Sequence, residues 1–381
     1  HNRQLPPAPV SGAWKITDPQ ACRRFANVGD LRLENDSILP AITLAYETWG
    51  ELNEDRSNAI LIEHALTGDA HVIGETEPGQ PTAGWWSQVV GPDLAIDTKR
   101  YFVVAINVLG GCQGSTGPAS IAQDGTPYGS RFPVISTRDQ VRAEARLADL
   151  LGIERWNTVV GASLGGHRAI EWATMYPRRV ERLVMVASGA QTTAEQAAWA
   201  HTQIRAVQLD PHWNGGDYYD DAVGPVAGLA LARQIAHTTY RSPAELEHRF
   251  GREENRGESV EGGLLGQPRG RYAIESYLDH HGNKLVERFD ANSYLAVNEA
   301  LISHDVARGR GSLSQALART DCEWTIAAVN TDRLFFPHES HRLAEALPNP
   351  VEVNIIESNH GHDGFLIEAK QVERILARAL G

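Results

Sequence analysis

Gly161-Ala162-Ser163-Leu164-Gly165 is a G-x-S-x-G run. It stands between an apolar, β-rich stretch, Trp156-Asn157-Thr158-Val159-Val160, and a stretch of helical character ending near Pro177. A serine in that setting belongs at a sharp strand-to-helix turn, a nucleophile elbow. The turn needs its glycines, because flanking side chains would clash with neighbouring chain while the serine takes a strained backbone conformation. Such a turn lifts the Ser163 hydroxyl clear of the strand ends and points the Leu164 N–H to where an oxyanion would form.

A serine hydroxyl is a weak nucleophile at neutral pH, so it needs a base, and the base needs an orienting acid. In elbow proteins both follow the serine in the chain, on loops after late strands. Asp332 lies just beyond a strand-like run ending at Val329, whereas Asp321 precedes that run and sits at the wrong end of it. Beyond the next strand, Ser358-Asn359-His360-Gly361-His362-Asp363-Gly364-Phe365 offers two histidines. His362, in a Gly-flanked turn before a helix, is better placed than His360, yet position alone leaves both open.

A second oxyanion donor is expected after an early strand. There His64-Ala65-Leu66-Thr67-Gly68-Asp69-Ala70-His71 follows the apolar run 59–63, and the Leu66 N–H is the candidate. His64 and His71 lack a third spaced ligand, so no metal site is expected. The loop Gly110-Gly111-Cys112-Gln113-Gly114-Ser115-Thr116-Gly117-Pro118 is open enough in composition for a ligand to approach its backbone, but it lacks the Gly-Lys-Ser/Thr of a P-loop. Cys112 has no base at a compatible spacing and reads as structural or ligand-lining.

The elements that must position these groups follow from periodicity. Runs 59–63, 101–106, 182–186, 324–329 and 351–356 are apolar enough to be buried strands, and 139–151, 337–347 and 365–380 carry helical spacing. Apolar strands alternating with helices predict an α/β fold with a mostly parallel central sheet covered on both faces. From 192 to 320 the alternation gives way to polar helical sequence, with a Gly-, Glu- and Arg-rich loop over 251–271. The predicted organisation is a core of 1–191 and 321–381 with a helical lid inserted over 192–320, and with residues 1–15 mobile.

Composition narrows the function. A chain of 381 residues that is 42% hydrophobic can bury a large core. A net charge of −13 excludes a general nucleic-acid binder, which needs clustered Lys and Arg. No apolar run approaches the roughly 20 residues of a membrane span. Three sparse cysteines fit a reducing, cytoplasmic setting rather than a disulfide framework.

The motifs together resemble the homoserine O-acetyltransferase family, acyltransferases on the α/β-hydrolase fold. The resemblance runs from about residue 30 to the C-terminus. It is carried by His64-Ala65-Leu66-Thr67-Gly68-Asp69, the 110–118 loop, Arg131-Phe132-Pro133, the serine elbow and Asn214-Gly215-Gly216-Asp217-Tyr218. Further along it rests on Glu275-Ser276-Tyr277-Leu278, Arg288-Phe289-Asp290-Ala291, Thr331-Asp332-Arg333-Leu334 and Gly361-His362-Asp363-Gly364-Phe365-Leu366.

It implies Ser163 as nucleophile, Asp332 as acid and, between the two histidines, His362 as base. It also implies Arg233 for a homoserine carboxylate, Asp363 for its ammonium, and Tyr240 and Thr67 lining the same pocket. Arg is suited to gripping a carboxylate bidentately. The implied reaction is acetyl transfer from acetyl-CoA to L-homoserine, for methionine synthesis, by a cytoplasmic homodimer with no permanently bound cofactor. Succinyl-CoA as donor, serine as acceptor, ester hydrolysis and a non-enzymatic relative are the alternatives. His167 departs from the commoner Met or Ala after the two glycines, and Arg308 and Arg310 are weak candidates for the CoA phosphates.

Overall fold

The computed structural model describes residues 7–259 and 269–381. Its twelve strands are, in chain order, β1 (Arg24–Arg32), β2 (Ile38–Trp49), β3 (Ala59–Glu63), β4 (Val90–Gly91), β5 (Ile96–Asp97) and β6 (Phe102–Ile106), followed by β7 (Thr158–Ala162), β8 (Arg182–Val186), β9 (Glu254–Ser259), β10 (Gly270–Tyr272), β11 (Glu323–Val329) and β12 (Val353–Ile356). Eight of them form one sheet in the order β1-β2-β6-β3-β7-β8-β11-β12. From β6 to β12 every pairing is parallel. Strands β3 and β7 are buried along their whole length, which is why they read as unbroken apolar runs.

Helices α1 (Thr137–Leu150), α2 (Leu164–Met175) and α9 (Pro337–Ala346) return the chain between parallel strands. Residues of α1, α2 and α9 pack into one hydrophobic cluster, with Trp156 edge-on to Trp172 at 6.1 Å. The other face is covered by α11 (Ala369–Leu380) and by the segment around Val72, Trp86 and Ile96.

The structure departs from expectation in four places. First, β1 and β2 form a long antiparallel hairpin whose register shifts at Gly29, and the shift breaks the alternation that would have announced it. Second, the helix expected over 365–380 is split into α10 (Gly364–Ile367) and α11 at Glu368. Third, the inserted segment is not wholly helical. Besides α3 (Ala194–Gln208), α4 (Val226–Tyr240), α5 (Pro243–Arg249), α6 (Ala273–Val286), α7 (Ala291–Ser303) and α8 (Leu313–Leu317), it carries β9 paired with β10 in the loop region expected over 251–271.

Fourth, the leader is not free along its expected length. The first six residues lie outside those described, but Gly12 N donates to Phe289 O (3.2 Å), Trp14 N to Cys112 O (2.9 Å) and Ser11 Oγ to Asp290 (2.8 Å).

Helix α2 crosses β3 and β7 at glycine distance. A Cβ on Gly165 would meet Glu63 O at 2.0 Å, and one on Gly161 would meet Gly165 O at 2.1 Å. Both obstacles are backbone, so neither can swing away. Gly165→Ala is expected to destabilise the fold by about 3 kcal/mol in urea titration, the upper range of overpacking costs. Gly125→Ala, in open space at φ +84°, is expected to cost only about 1 kcal/mol of backbone strain. Equal midpoints for the two variants would contradict this account of the crossing.

Candidate active site

Ser163 stands at the carboxyl end of β7 with φ 55° and ψ −124°. That conformation costs a non-glycine residue about 1–3 kcal/mol and persists only where its surroundings enforce it. Here Ser163 N donates to Val186 O (2.9 Å), while Ser163 O accepts from Ser188 Oγ (2.7 Å) and Gly166 N (2.9 Å). The backbone is thereby pinned to β8 on one side and to α2 on the other.

The loops after β11 and β12 bring the two partners in. His362 Nε2 lies 2.9 Å from Ser163 Oγ, and His362 Nδ1 lies 2.7 Å from Asp332 Oδ2. The other oxygen of Asp332 accepts the backbone N–H groups of Leu334 and Phe335, each at 2.9 Å. That fixes the carboxylate, so Nδ1 carries the proton and Nε2 is left to accept from serine. Phe335 stacks on the His362 ring at 5.2 Å. Burial alone would favour a neutral ring, but the charge and hydrogen bond of Asp332, with Asp363 and Glu339 behind, raise its pKa above the ordinary 6.5.

His360 points elsewhere, with its Nδ1 3.0 Å from Glu245. Asp321 precedes β11, as its sequence position implied.

Leu66 follows β3 and Leu164 opens α2, and neither N–H donates to another group among the described residues. The loop carrying Leu66 is tied down from beneath. Arg168 on α2 pairs with Glu63 and donates to His64 O at 2.6 Å. Burial, with Glu63 beside it, raises the pKa of the neighbouring Glu144 well above the ordinary carboxylate value. His64 spans the loop, near Ala65 O through Nδ1 (2.7 Å) and accepting Val108 N–H at Nε2 (3.1 Å). Burial pushes its pKa down to about 3, which leaves a neutral fastener. His71 is likewise engaged at both ring nitrogens, by Glu47 (2.9 Å) and Glu75 O (3.0 Å).

Facing this edge, Arg233 on α4 donates to Thr67 Oγ1 (3.0 Å) and lies over the Tyr240 ring at 5.5 Å. Tyr240 in turn lies 6.0 Å from the His362 ring. Asp363 is brought beside them, but its Oδ2 already meets Arg241 Nε at 3.1 Å. A cavity of about 30 Å³ lies between Leu66 and Leu164 on one side and Trp199, Tyr240 and Leu301 on the other.

Other expected residues are occupied structurally. The 110–118 loop is folded on itself, with Gly110 N on Thr116 O (2.8 Å) and Thr116 N on Thr43 O (2.8 Å), and most of it is buried rather than open to a ligand. Burial pushes the Cys112 thiol up to about 12, so it stays protonated. Arg310 pairs with buried Glu171 (2.9 Å) and Arg308 with Glu34 (2.8 Å). His167 is buried and stacked on His304 at 3.8 Å, and neither of its ring nitrogens has a hydrogen-bond partner among the described residues.

The chain matches the model of the α/β hydrolase fold over residues 58–369. It is 52% identical to a homoserine O-acetyltransferase of Thermobifida fusca over 98% of both chains. It is 46% identical to one from Mycobacterium tuberculosis, over 93% of this chain and 92% of that one. A solved homoserine O-acetyltransferase from Bacillus anthracis superposes with a TM-score of 0.85 at 29% identity, covering 94% of this chain and 97% of that chain. Esterase E22 superposes equally well, with a TM-score of 0.85 at 27% identity over 94% and 99%. The chain therefore belongs to the α/β-hydrolase-fold enzymes and, within them, to the homoserine O-acetyltransferase family.

Two pH effects follow. Because Asp332 is what raises the His362 pKa, Asp332→Asn is expected to move the acid limb of the rate profile to lower pH while cutting turnover by about 10⁴-fold. An unmoved limb would show that another group sets it.

For His167 the sign is opposite. Burial, then His304 and Arg168, hold its pKa well below 6.5. Below pH 6.5 the unfolded chain takes up a proton that the fold refuses, so stability falls as pH drops. His167→Met is expected to narrow the Tm difference between pH 7.5 and pH 5, and an unchanged difference would refute it.

Proposed function

We propose that the protein transfers the acetyl group of acetyl-CoA to the side-chain hydroxyl of L-homoserine through an acetyl-Ser163 intermediate. The observation that carries this reading is the sharing of one short loop: Leu66, the candidate oxyanion donor, is followed directly by Thr67, which accepts a hydrogen bond from the half-buried cation Arg233. A nucleophile built for esters in general has no use for a cation at that point, whereas an amino-acid acceptor brings a carboxylate to it.

In the first step Ser163 Oγ attacks the thioester carbon while His362 Nε2 takes its proton. The Leu66 and Leu164 N–H groups receive the developing oxyanion, an arrangement worth several kcal/mol in a water-poor site. The carbon–sulfur bond breaks and His362 returns the proton to the CoA thiolate. Homoserine then gives its hydroxyl proton to His362 and attacks the acetyl-serine, and the proton passes back to Ser163 Oγ as the ester leaves.

Arg233 and Thr67 take the acceptor carboxylate. Asp363, whose Oδ1 makes no hydrogen bond among the described residues, takes the ammonium while Arg241 keeps Oδ2 in place. Tyr240 closes the pocket between Arg233 and His362. The cavity of about 30 Å³ beside Leu66 and Leu164 lies under the insertion, which covers the approach to Ser163. The reading carries with it a cytoplasmic homodimer that feeds methionine synthesis and holds no permanent cofactor.

Hydrolysis is the second reading, favoured by the likeness to esterase E22. Both readings are tested by following CoA release from acetyl-CoA and succinyl-CoA with homoserine, serine or no acceptor. Sustained release dependent on homoserine and acetyl-CoA is expected, falling at least about 10³-fold in Ser163→Ala. Equal release without acceptor supports a hydrolase, and a faster reaction with succinyl-CoA reassigns the donor.

A further inference from the structure

Two guanidinium groups converge on Thr67. Arg233 reaches its hydroxyl from α4, and Arg288, in the turn between α6 and α7, donates to its carbonyl oxygen at 2.8 Å. Neither arginine forms an ion pair within 4.0 Å among the described residues. Both are half-buried. Burial, with Arg233 adding to it, pulls the Arg288 pKa down to about 10, and Asp69 only partly offsets this.

Two deeply buried arginines with architectural roles, Arg23 and Arg168, look different. Arg23 spends its fork on Gln113 O (2.9 Å), Gly79 O (2.7 Å) and Gln113 Oε1 (2.8 Å), and Arg168 on Glu63 and His64 O. Among the described residues Arg288 has a single hydrogen bond from its five N–H groups, although its backbone is clamped by Leu285 O (3.0 Å) and Gln113 Nε2 (2.8 Å). A rigidly mounted, under-coordinated cation beside a second one marks a place for an anion with two oxygens.

We propose that Arg288 is the second half of the acceptor carboxylate site, taking one carboxylate oxygen while Arg233 takes the other, and that it sets the preference for an amino acid over an amino alcohol. The assignment rests on the acyl-transfer reading above. The CoA phosphates are poor occupants, because the pantetheine arm holds them well away from the thioester, and the thioester must reach the loop of Leu66 itself. A carboxylate on the acyl group is the other anion that fits, and the experiment separates the two.

Wild type, Arg288→Met and Arg288→Lys are compared in three measurements. These are the burst of CoA from acetyl-CoA or succinyl-CoA without acceptor, kcat/KM for homoserine, and kcat/KM for 3-aminopropan-1-ol, which keeps the amine and hydroxyl but lacks the carboxylate. Arg288→Met is expected to lower kcat/KM for homoserine roughly 10- to 100-fold, the range of a charge-assisted hydrogen bond. Both bursts and the amino-alcohol reaction should stay within about threefold, and Arg288→Lys should restore part of the homoserine rate.

Equal losses with both acceptors would make Arg288 merely structural and overturn the proposal. So would a loss confined to the succinyl-CoA burst, which would assign it to the acyl group. A wild type that forms the acetyl-enzyme but treats the two acceptors alike overturns the acceptor reading itself, and this assignment with it. Should the Met variant fold poorly, the Lys variant alone decides by the ratio of the two acceptors.

Discussion

Helix α2 can sit against β3 and β7 only because two backbones touch without side chains between them, at Gly161 and Gly165. Much of the site depends on that crossing. It sets the height at which Ser163 leaves β7, and it lays Leu164 at the N-terminus of α2, where the helix has amides to spare. It also brings Arg168 within reach of Glu63 and His64 O, so the helix that bears the nucleophile also holds the loop that bears Leu66. Ser163 and the two candidate oxyanion donors are thus tied together through α2. Asp332 and His362 need only arrive at the same edge, and parallel strands β11 and β12 deliver them to it.

The insertion is fastened to this edge by apolar contact and by one buried carboxylate. Leu66 and Leu164 pack in a single cluster with Val207, Leu229, Tyr294 and Val297, so both candidate oxyanion donors lie under the insertion. Asp290 caps α7 through Ser293 N (3.0 Å) and accepts from Ser11 Oγ (2.8 Å), Tyr218 (2.6 Å) and Tyr219 (2.8 Å). The N-terminal segment and the insertion meet there. A neutral side chain at 290 would leave three hydroxyls and an amide competing for fewer acceptors. The same knot holds the backbone from which Arg288 projects.

Legibility in the sequence followed the physics of each signal. The parallel strands were readable because burial on both faces leaves only apolar residues, and Ser163, Asp332 and Leu66 were readable because chain order and strand ends constrain them. His362 and His360 were not separable by position; what separates them is that the His362 ring meets Asp332 while His360 meets Glu245. The hairpin β1–β2 is hidden by its bulge, and composition leaves the 110–118 loop ambiguous because glycine permits close packing as readily as ligand access. Arg288 stood in the sequence only as part of the Arg-Phe-Asp-Ala motif. Its convergence with Arg233 on Thr67 joins residues far apart in the chain, and no local pattern encodes that.

The histidines show how one fold assigns different chemistry to the same side chain. His64, His167, His304 and His362 are all buried, and burial alone favours the neutral ring in each. Among the described residues the first three have no carboxylate at hydrogen-bond distance and are driven down, His64 to about 3 and His304 to about 4. Only His362 of these four is given an aspartate at hydrogen-bond distance, and its affinity for a proton rises. A base must hold a proton long enough to hand it on, so the triad histidine has to be the one whose charge the interior accepts. Keeping its neighbour His167 neutral serves the same end, because a second cation edge-on to Phe335, on whose ring His362 stacks, would lower the proton affinity that Asp332 confers.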